Sequence, residues 1–158
     1  MQRDIRILLH NIRSAHNVGS IFRTSDAIGV SHVYLSGYSP LPLDKFGRPV
    51  KEIAKTALGG EKTIPWELVK NPAKLIKKLK AEGFSVVAIE QDARAIDYKT
   101  FHPKGKTLVL VGNEVLGLSS AMKRHADTII EIPMMGKKES LNVSVAYGIA
   151  MFRIFDRE

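Results

Sequence analysis

Five short apolar runs constrain this chain more than anything else in it. They are IRILLH (5–10), HVYLS (32–36), SVVAIE (85–90), TLVLVG (107–112) and TIIEIP (128–133). All are rich in branched aliphatic residues and too short for helices, and they are apolar on both faces. That is the pattern of strands covered on both sides. The segments between them read as helices. NVGSIFRTSDAIG (17–29) keeps its apolar residues near one face and stops on a glycine. NPAKLIKKLKAEG (71–83) opens with a capping asparagine and a proline and also closes on glycine. LSSAMKRHA (118–126) and SLNVSVAYGIAMFRIF (140–155) complete the set. Strands alternating with helices predict an α/β fold, with a largely parallel sheet covered by helices on both faces. The stretch from Gly37 to Trp66 is rich in Pro, Gly and Lys. It reads as a long loop with one short helix near 50–58, and a loop of that length is more often functional than idle.

The last predicted helix is apolar nearly all round, through Val143, Val145, Ala146, Ile149, Ala150, Met151, Phe152, Ile154 and Phe155. Such a helix needs cover on two sides. In a chain of 158 residues, enough for one domain, the sheet supplies one side and a second copy of the chain is the expected other, the alternatives being cover by the 37–66 loop or an exposed apolar patch. The net charge is +8, with basic clusters at 74–80, 99–106, 122–125 and 136–138. This favours a polyanionic partner, nucleic acid ahead of a membrane surface. No apolar run has membrane-spanning length, and the early charges of MQRDIRILLHNIRS do not suit a secretory signal. With no cysteine, disulfides and thiolate metal sites are excluded, and cytoplasm is only the default compartment. His10, His16, His32, His102 and His125 show no ligand spacing with acids, so no metal is expected.

Three polar constellations stand out. In the first, Asn17 precedes a helix it could cap, and His16, Gly19, Ser20, Arg23 and Ala27 share one helix face. That face is small-walled around a single arginine, so a large ligand could approach Arg23. Equally, Arg23 could form an ordinary surface pair with Asp26. The second is GNEVLGLS (112–119), one letter short of a P-loop, with Leu118 where the lysine would be and Glu114 inside the turn. A turn after a strand is a ligand position in an α/β sheet. Its acid repels phosphates and suits a cationic or neutral ligand, unless Glu114 is merely solvated or capping. The third is EIPMMGKKESLNVSVA (131–146), where Ser140 and Asn142 stand at the start of the apolar helix. With Ser144 they exceed what capping requires.

Taken together, these segments resemble the SPOUT superfamily of RNA methyltransferases, in its TrmH/SpoU branch of ribose 2′-O-methyltransferases. NIRSAHNVGSIFRTSDAIGV resembles the first family motif through Asn17, Gly19 and Arg23. LVLVGNEVLGLS resembles the second through Gly112, Glu114, Gly117 and Leu118. IPMMGKKESLNVSVA resembles the third through Ile132, Pro133, Met134, Gly136, Ser140, Leu141, Asn142 and Ala146. KTALGGEKTIPWE (55–67) also looks like a segment of bacterial members. The match is ordered and spans nearly the whole chain, as one catalytic domain over 1–158 with no appended RNA-binding domain.

The resemblance implies a C-terminal trefoil knot and a homodimer whose reaction centre is shared between subunits. It implies S-adenosylmethionine held at Ile89, Gly112, Ile132, Ser140 and Leu141. The substrate it implies is structured RNA, transfer or ribosomal, methylated on a ribose 2′-hydroxyl. The resemblance assigns Arg23 to activating that hydroxyl; because guanidinium holds its proton strongly, the preferred reading is that Arg23 binds the adjacent phosphate and stabilises charge on the attacking oxygen, rather than acting as a literal base. Asn17 and Asn142 would position Arg23 and the ribose, Ser140 the cofactor or Asn142, and Glu114 would hold Asn17, Arg23 or the third loop. Competing readings are methylation of a base, a non-catalytic RNA-binding module with the same fold, and a nucleotide-phosphate enzyme suggested only by GNEVLGLS.

Overall fold

The structure, a computed structural model, describes residues 3–156. Its strands are β1 (Ile5–His10), β2 (His32–Ser36), β3 (Trp66–Val69), β4 (Ser85–Ile89), β5 (Ile96–Asp97), β6 (Thr107–Val111) and β7 (Thr128–Glu131). Its helices are α1 (Ala15–Ile28), α2 (Lys51–Ala57), α3 (Gly60–Thr63), α4 (Pro72–Ala81), α5 (Ser120–Lys123) and α6 (Val143–Ile154). The strands form one seven-stranded sheet in the order β3-β2-β1-β6-β4-β7-β5, and every pairing is parallel.

The two-faced strands do what their composition predicts. Along β1, Ile5, Ile7 and Leu9 enter one apolar layer with α1, α2 and α6, while Leu8 enters the other, with Ile76 and Leu79 of α4 and Met122 of α5. Val109 and Val111 of β6 face the first layer, and Leu108 and Leu110 the second. The parallel sheet is thus covered on both sides, as β-branched runs without polar alternation require. One polar contact crosses the first layer. The fully buried Tyr147 of α6 hydrogen-bonds through its hydroxyl to Ser25 Oγ of α1 at 2.7 Å, and burial pushes its phenol up from the ordinary value.

Several boundaries differ from expectation, each for a local reason. Helix α1 begins at Ala15, because the Ser14 hydroxyl accepts from the Asn17 N–H and caps it. Asn17 therefore lies inside the first turn and is not the cap. Helix α6 begins only at Val143, capped by the Asn142 side chain, which leaves Ser140 and Leu141 in the preceding loop. The expected helix over 118–126 contracts to the single turn α5 behind its cap Ser119. Strands β3 and β5 were not expected. β3 is a half-exposed edge strand and β5 has two residues, so neither carries an apolar run. The stretch 37–66 holds two helices, not one.

That stretch also corrects the reading of Gly19. A Cβ there would run into Thr56 Oγ1 and the Ile53 carbonyl of α2. Gly60 is held equally close, its added Cβ falling 2.9 Å from the Phe22 carbonyl oxygen. Gly19 on α1 thus seats α2, whereas Ala27 is exposed and lines the pocket beside Arg23. Gly19→Ala is expected to cost about 1–3 kcal/mol through overpacking, read by urea unfolding. Gly148→Ala meets only Thr24 Cγ2 at 3.8 Å and is expected to be neutral or stabilising in the same assay.

Candidate active site

β1 leads through α1 to β2 on one side of the sheet, whereas β6 leads to β7 on the other, passing over β4. The two strands are neighbours, so the chain's direction of travel switches between their carboxyl ends. Open α/β sheets bind ligands at that place. Each of the three polar constellations sends a residue there: Asn17 from the first, Glu114 from the second and Asn142 from the third.

Glu114 is the hub. Its carboxylate accepts from the backbone N–H of Arg13 (2.9 and 3.1 Å) and of Ser14 (2.9 Å), and from Asn17 Nδ2 (3.0 Å). An acid against the N–H groups that open α1 is also favoured by the helix dipole. Burial alone would push this carboxyl up. The donors from Arg13, Ser14 and Asn17 outweigh it and hold Glu114 below the ordinary carboxylate value. Asn17, almost fully buried, then accepts at Oδ1 from Asn142 Nδ2 (3.2 Å). Asn142 in turn accepts from the N–H and hydroxyl of Ser144 (2.9 and 2.6 Å) as it caps α6. One hydrogen-bonded line thus joins the turn after β6 to the starts of α1 and α6.

The turn 112–119 is held from within. Asn113 Oδ1 accepts from the N–H of Val115 and Leu116, and the Gly117 N–H reaches back to the Asn113 carbonyl (3.0 Å). Gly117 adopts φ +66°, and a Cβ at Gly112 would fall 2.7 Å from the carbonyl carbon of Gly117. Gly112 is therefore required first by the turn folding onto itself, before any ligand is considered. Glu90, which belongs to none of the three constellations, accepts from the Leu118 N–H at 2.9 Å and packs against Gly117. It directly follows β4, next to β6, so the rule that ligands gather at strand carboxyl ends would have found it.

Beside this line opens a cleft of about 280 Å³. Ile89, Gly112, Ile132, Ser140 and Leu141 all line it, as does Glu114, together with the carboxylates of Glu90, Glu131 and Glu139. Asn17 and Asn142 stand next to it, linked through Glu114. Arg23 does not. It lies six residues beyond Asn17, about 9 Å further along α1 and roughly 240° around it, exposed beside Gly59 and Gly60 in a separate shallow pocket. The surface pair with Asp26 is not formed. Asp26 accepts instead from the Thr63 hydroxyl at 2.6 Å, and among the described residues Arg23 is in no ion pair.

The sequence profile of the SpoU rRNA Methylase family matches residues 4–152. The chain belongs to that family. It is 32% identical over 151 residues to a tRNA (guanosine(18)-2′-O)-methyltransferase of Aquifex aeolicus, covering 96% of this chain and 68% of that protein. A Staphylococcus haemolyticus relative is 34% identical over 94% of this chain, which spans only 57% of the relative's length. Among solved structures, an S-adenosylmethionine-bound rRNA methyltransferase of Sinorhizobium meliloti superposes with a TM-score of 0.84 at 31% identity. That superposition covers 98% of this chain and 56% of the other. The α/β fold with its parallel sheet is thus that of the family.

Glu114→Gln keeps the shape of the hub but removes its charge. It is expected to lower stability by about 1–3 kcal/mol at neutral pH, the range for losing hydrogen bonds to a charged group. The Glu114 pKa is depressed on folding, so its contribution is complete above the ordinary carboxyl value of about 4.3 and is lost as pH falls through the lower folded value. Urea unfolding from pH 7 down to pH 3 should therefore show the gap between wild type and Glu114→Gln closing at the acid end.

Proposed function

We propose that this chain is a methyltransferase that moves a methyl group from S-adenosylmethionine to a ribose 2′-hydroxyl of structured RNA, transfer or ribosomal. The observation that carries the reading is the Glu114–Asn17–Asn142 line bordering an acidic, partly apolar cleft at the switch point of the sheet. The donor chemistry fits the cofactor. Apolar walls from Ile89, Ile132 and Leu141 suit a flat base, and the carboxylates of Glu90, Glu131 and Glu139 suit positive charge. The same acids repel a triphosphate, which disposes of the P-loop likeness. The Sinorhizobium meliloti relative, solved with S-adenosylmethionine bound, supports this choice. With RNA as substrate, we read the enzyme as cytoplasmic; separately, no described helix is long and apolar enough to cross a membrane.

When bound, S-adenosylmethionine supplies a methyl group on a positively charged sulfur. The chain's own residues must align the acceptor and manage one proton. The Glu114 carboxylate fixes the start of α1 and orients the Asn17 amide, and Asn17 orients Asn142 in turn. Ser140 and Leu141, left outside α6 by its late cap, form a wall of the cleft. The 2′-hydroxyl is a weak nucleophile until its proton leaves. Arg23 holds its own proton too firmly to act as a base. It binds the adjacent phosphate and stabilises negative charge growing on the oxygen, while the proton passes to phosphate or water.

Arg23 cannot perform this in the cleft of its own chain, because it points away from Asn17 around α1. We therefore read the enzyme as a homodimer in which each cleft receives Arg23 from the other subunit. A row of exposed apolar residues on α6, Val145, Ile149 and Phe152, supports this, as do exposed Val115, Leu116 and Met135 at the cleft mouth. Together they leave an apolar surface for a second copy to cover. The trefoil knot of the C-terminal segment belongs to the same proposal.

The direct test incubates the protein with labelled S-adenosylmethionine and bulk RNA. Methylated positions should resist alkaline cleavage, since the 2′-oxygen is blocked; label confined to bases would refute ribose chemistry. Arg23→Ala should lose about 10²–10³-fold in rate while calorimetry shows cofactor binding unchanged, and Arg23→Lys should not restore it. Mixing Arg23→Ala with Asn142→Ala chains tests the shared site. Half the re-formed two-fold dimers are mixed, each with one intact cleft, so activity should recover to about a quarter of wild type. No recovery would place the whole site within one chain.

A further inference from the structure

The segment between β2 and α2 carries a feature that neither the core nor the cleft uses. Residues 43–49 form a tight hairpin, closed by an antiparallel bridge between Leu43 and Pro49 and by the Asp44 N–H to the Arg48 carbonyl at 2.8 Å. Asp44 organises it. One carboxylate oxygen accepts from the N–H groups of Phe46 (2.8 Å) and Arg48 (3.0 Å), and the other from Arg48 Nε at 3.0 Å. Gly47 supplies the left-handed turn at φ +73°. All this internal bonding serves to present Phe46, which is 67% exposed. Two cations attend its ring, Arg48 Cζ at 4.8 Å and Lys45 Nζ at 5.1 Å from the centroid.

An aromatic this exposed adds little to folding, and rigid display of one between cations suits it as a stacking platform for single-stranded nucleic acid. Arg48 is tied to Asp44. Lys45 is in no ion pair among the described residues, so it can leave the ring as a base enters and turn to the flanking phosphate. The segment that carries the hairpin also starts at the correct edge. It follows the carboxyl end of β2, and in this all-parallel sheet every carboxyl end lies at the edge that holds the cleft. Tyr38, 59% exposed at the start of the same segment, hydrogen-bonds through its hydroxyl to Asn113 Nδ2, next to Glu114.

We infer that the 43–49 hairpin is a substrate-RNA contact in which Phe46 stacks on an unpaired nucleobase and Lys45 takes the neighbouring phosphate. This rests on the proposed action on RNA and adds to it the element that grips an unpaired base outside the cleft. Affinity for bulk transfer RNA, followed by fluorescence anisotropy over a range of salt, tests it. Phe46→Ala should weaken binding about 5- to 100-fold with the salt dependence unchanged, because stacking releases no counterions. Phe46→Tyr should bind as wild type and Phe46→Leu should remain weak. Lys45→Ala should lower the slope of log affinity against log salt by about one. Cofactor binding should be unaffected in every variant. Wild-type affinity in Phe46→Ala or Phe46→Leu overturns the inference while leaving the RNA reading intact. So does an altered oligomeric state in Phe46→Ala, which would make the hairpin a contact between copies. A wild-type protein that binds no RNA overturns both.

Discussion

The Glu114 carboxylate is the contact on which the site depends. Three stretches of chain, the turn after β6, the loop before α1 and the start of α6, have no covalent reason to meet. One acid that accepts from Arg13, Ser14 and Asn17 joins the first two, and the asparagine pair brings in the third. A carboxylate can do this because it accepts several bonds at once, and bonds to a charged acceptor are roughly twice as strong as neutral ones. An asparagine at 114 would present donors to donors. The same contact explains why Asn17 is almost buried yet polar, since both ends of its amide are engaged.

The reversal of sheet order makes this arrangement possible. β1 and β6 are adjacent although nearly a hundred residues separate them, and the segments leaving their carboxyl ends diverge to opposite sides. Divergence opens the cleft, and Glu114 spans it. The Ser25–Tyr147 bond inside the first apolar layer keeps α1 and α6 in register behind it. The polar line at the surface therefore rests on helices whose relative position is already set by packing.

Much of this was legible in the sequence, and the misses have physical causes. Runs without polar alternation announced strands covered on both faces, and those strands form the middle of the sheet. β3 and β5 lie toward its edges, where few buried positions leave no apolar run to read. Asn17, Glu114 and Asn142 stood out as polar residues in excess of local need, and they do meet. Gly19 was read as room for a ligand, but its missing side chain admits α2, whereas Gly112 both lines the cleft and is required by the turn folding onto itself. A sequence shows that a position must be small; it does not show which neighbour fills the space. Arg23 shows the complementary limit. Its spacing from Asn17 was visible, but with α1 starting two residues earlier and α2 seated on Gly19, part of the face it shares becomes a helix contact and the arginine faces a different pocket from Asn17.

The charge distribution separates two tasks that net charge conceals. A chain of net charge +8 lines the cleft at its sheet's switch point with Glu90, Glu114, Glu131 and Glu139. A uniformly basic protein would draw RNA phosphates into that cleft and compete with any cationic ligand there. With the acids inside and the lysines and arginines outside, polyanion and cation are sorted before either makes a specific contact. Two of the acids are also fastened to backbone, Glu114 to Arg13 and Ser14, and Glu90 to Leu118. They cannot swing out to pair with surface lysines. The part of the cleft's field that comes from Glu114 and Glu90 is therefore fixed by the fold, and salt should weaken it less than it weakens RNA attraction at the exposed surface.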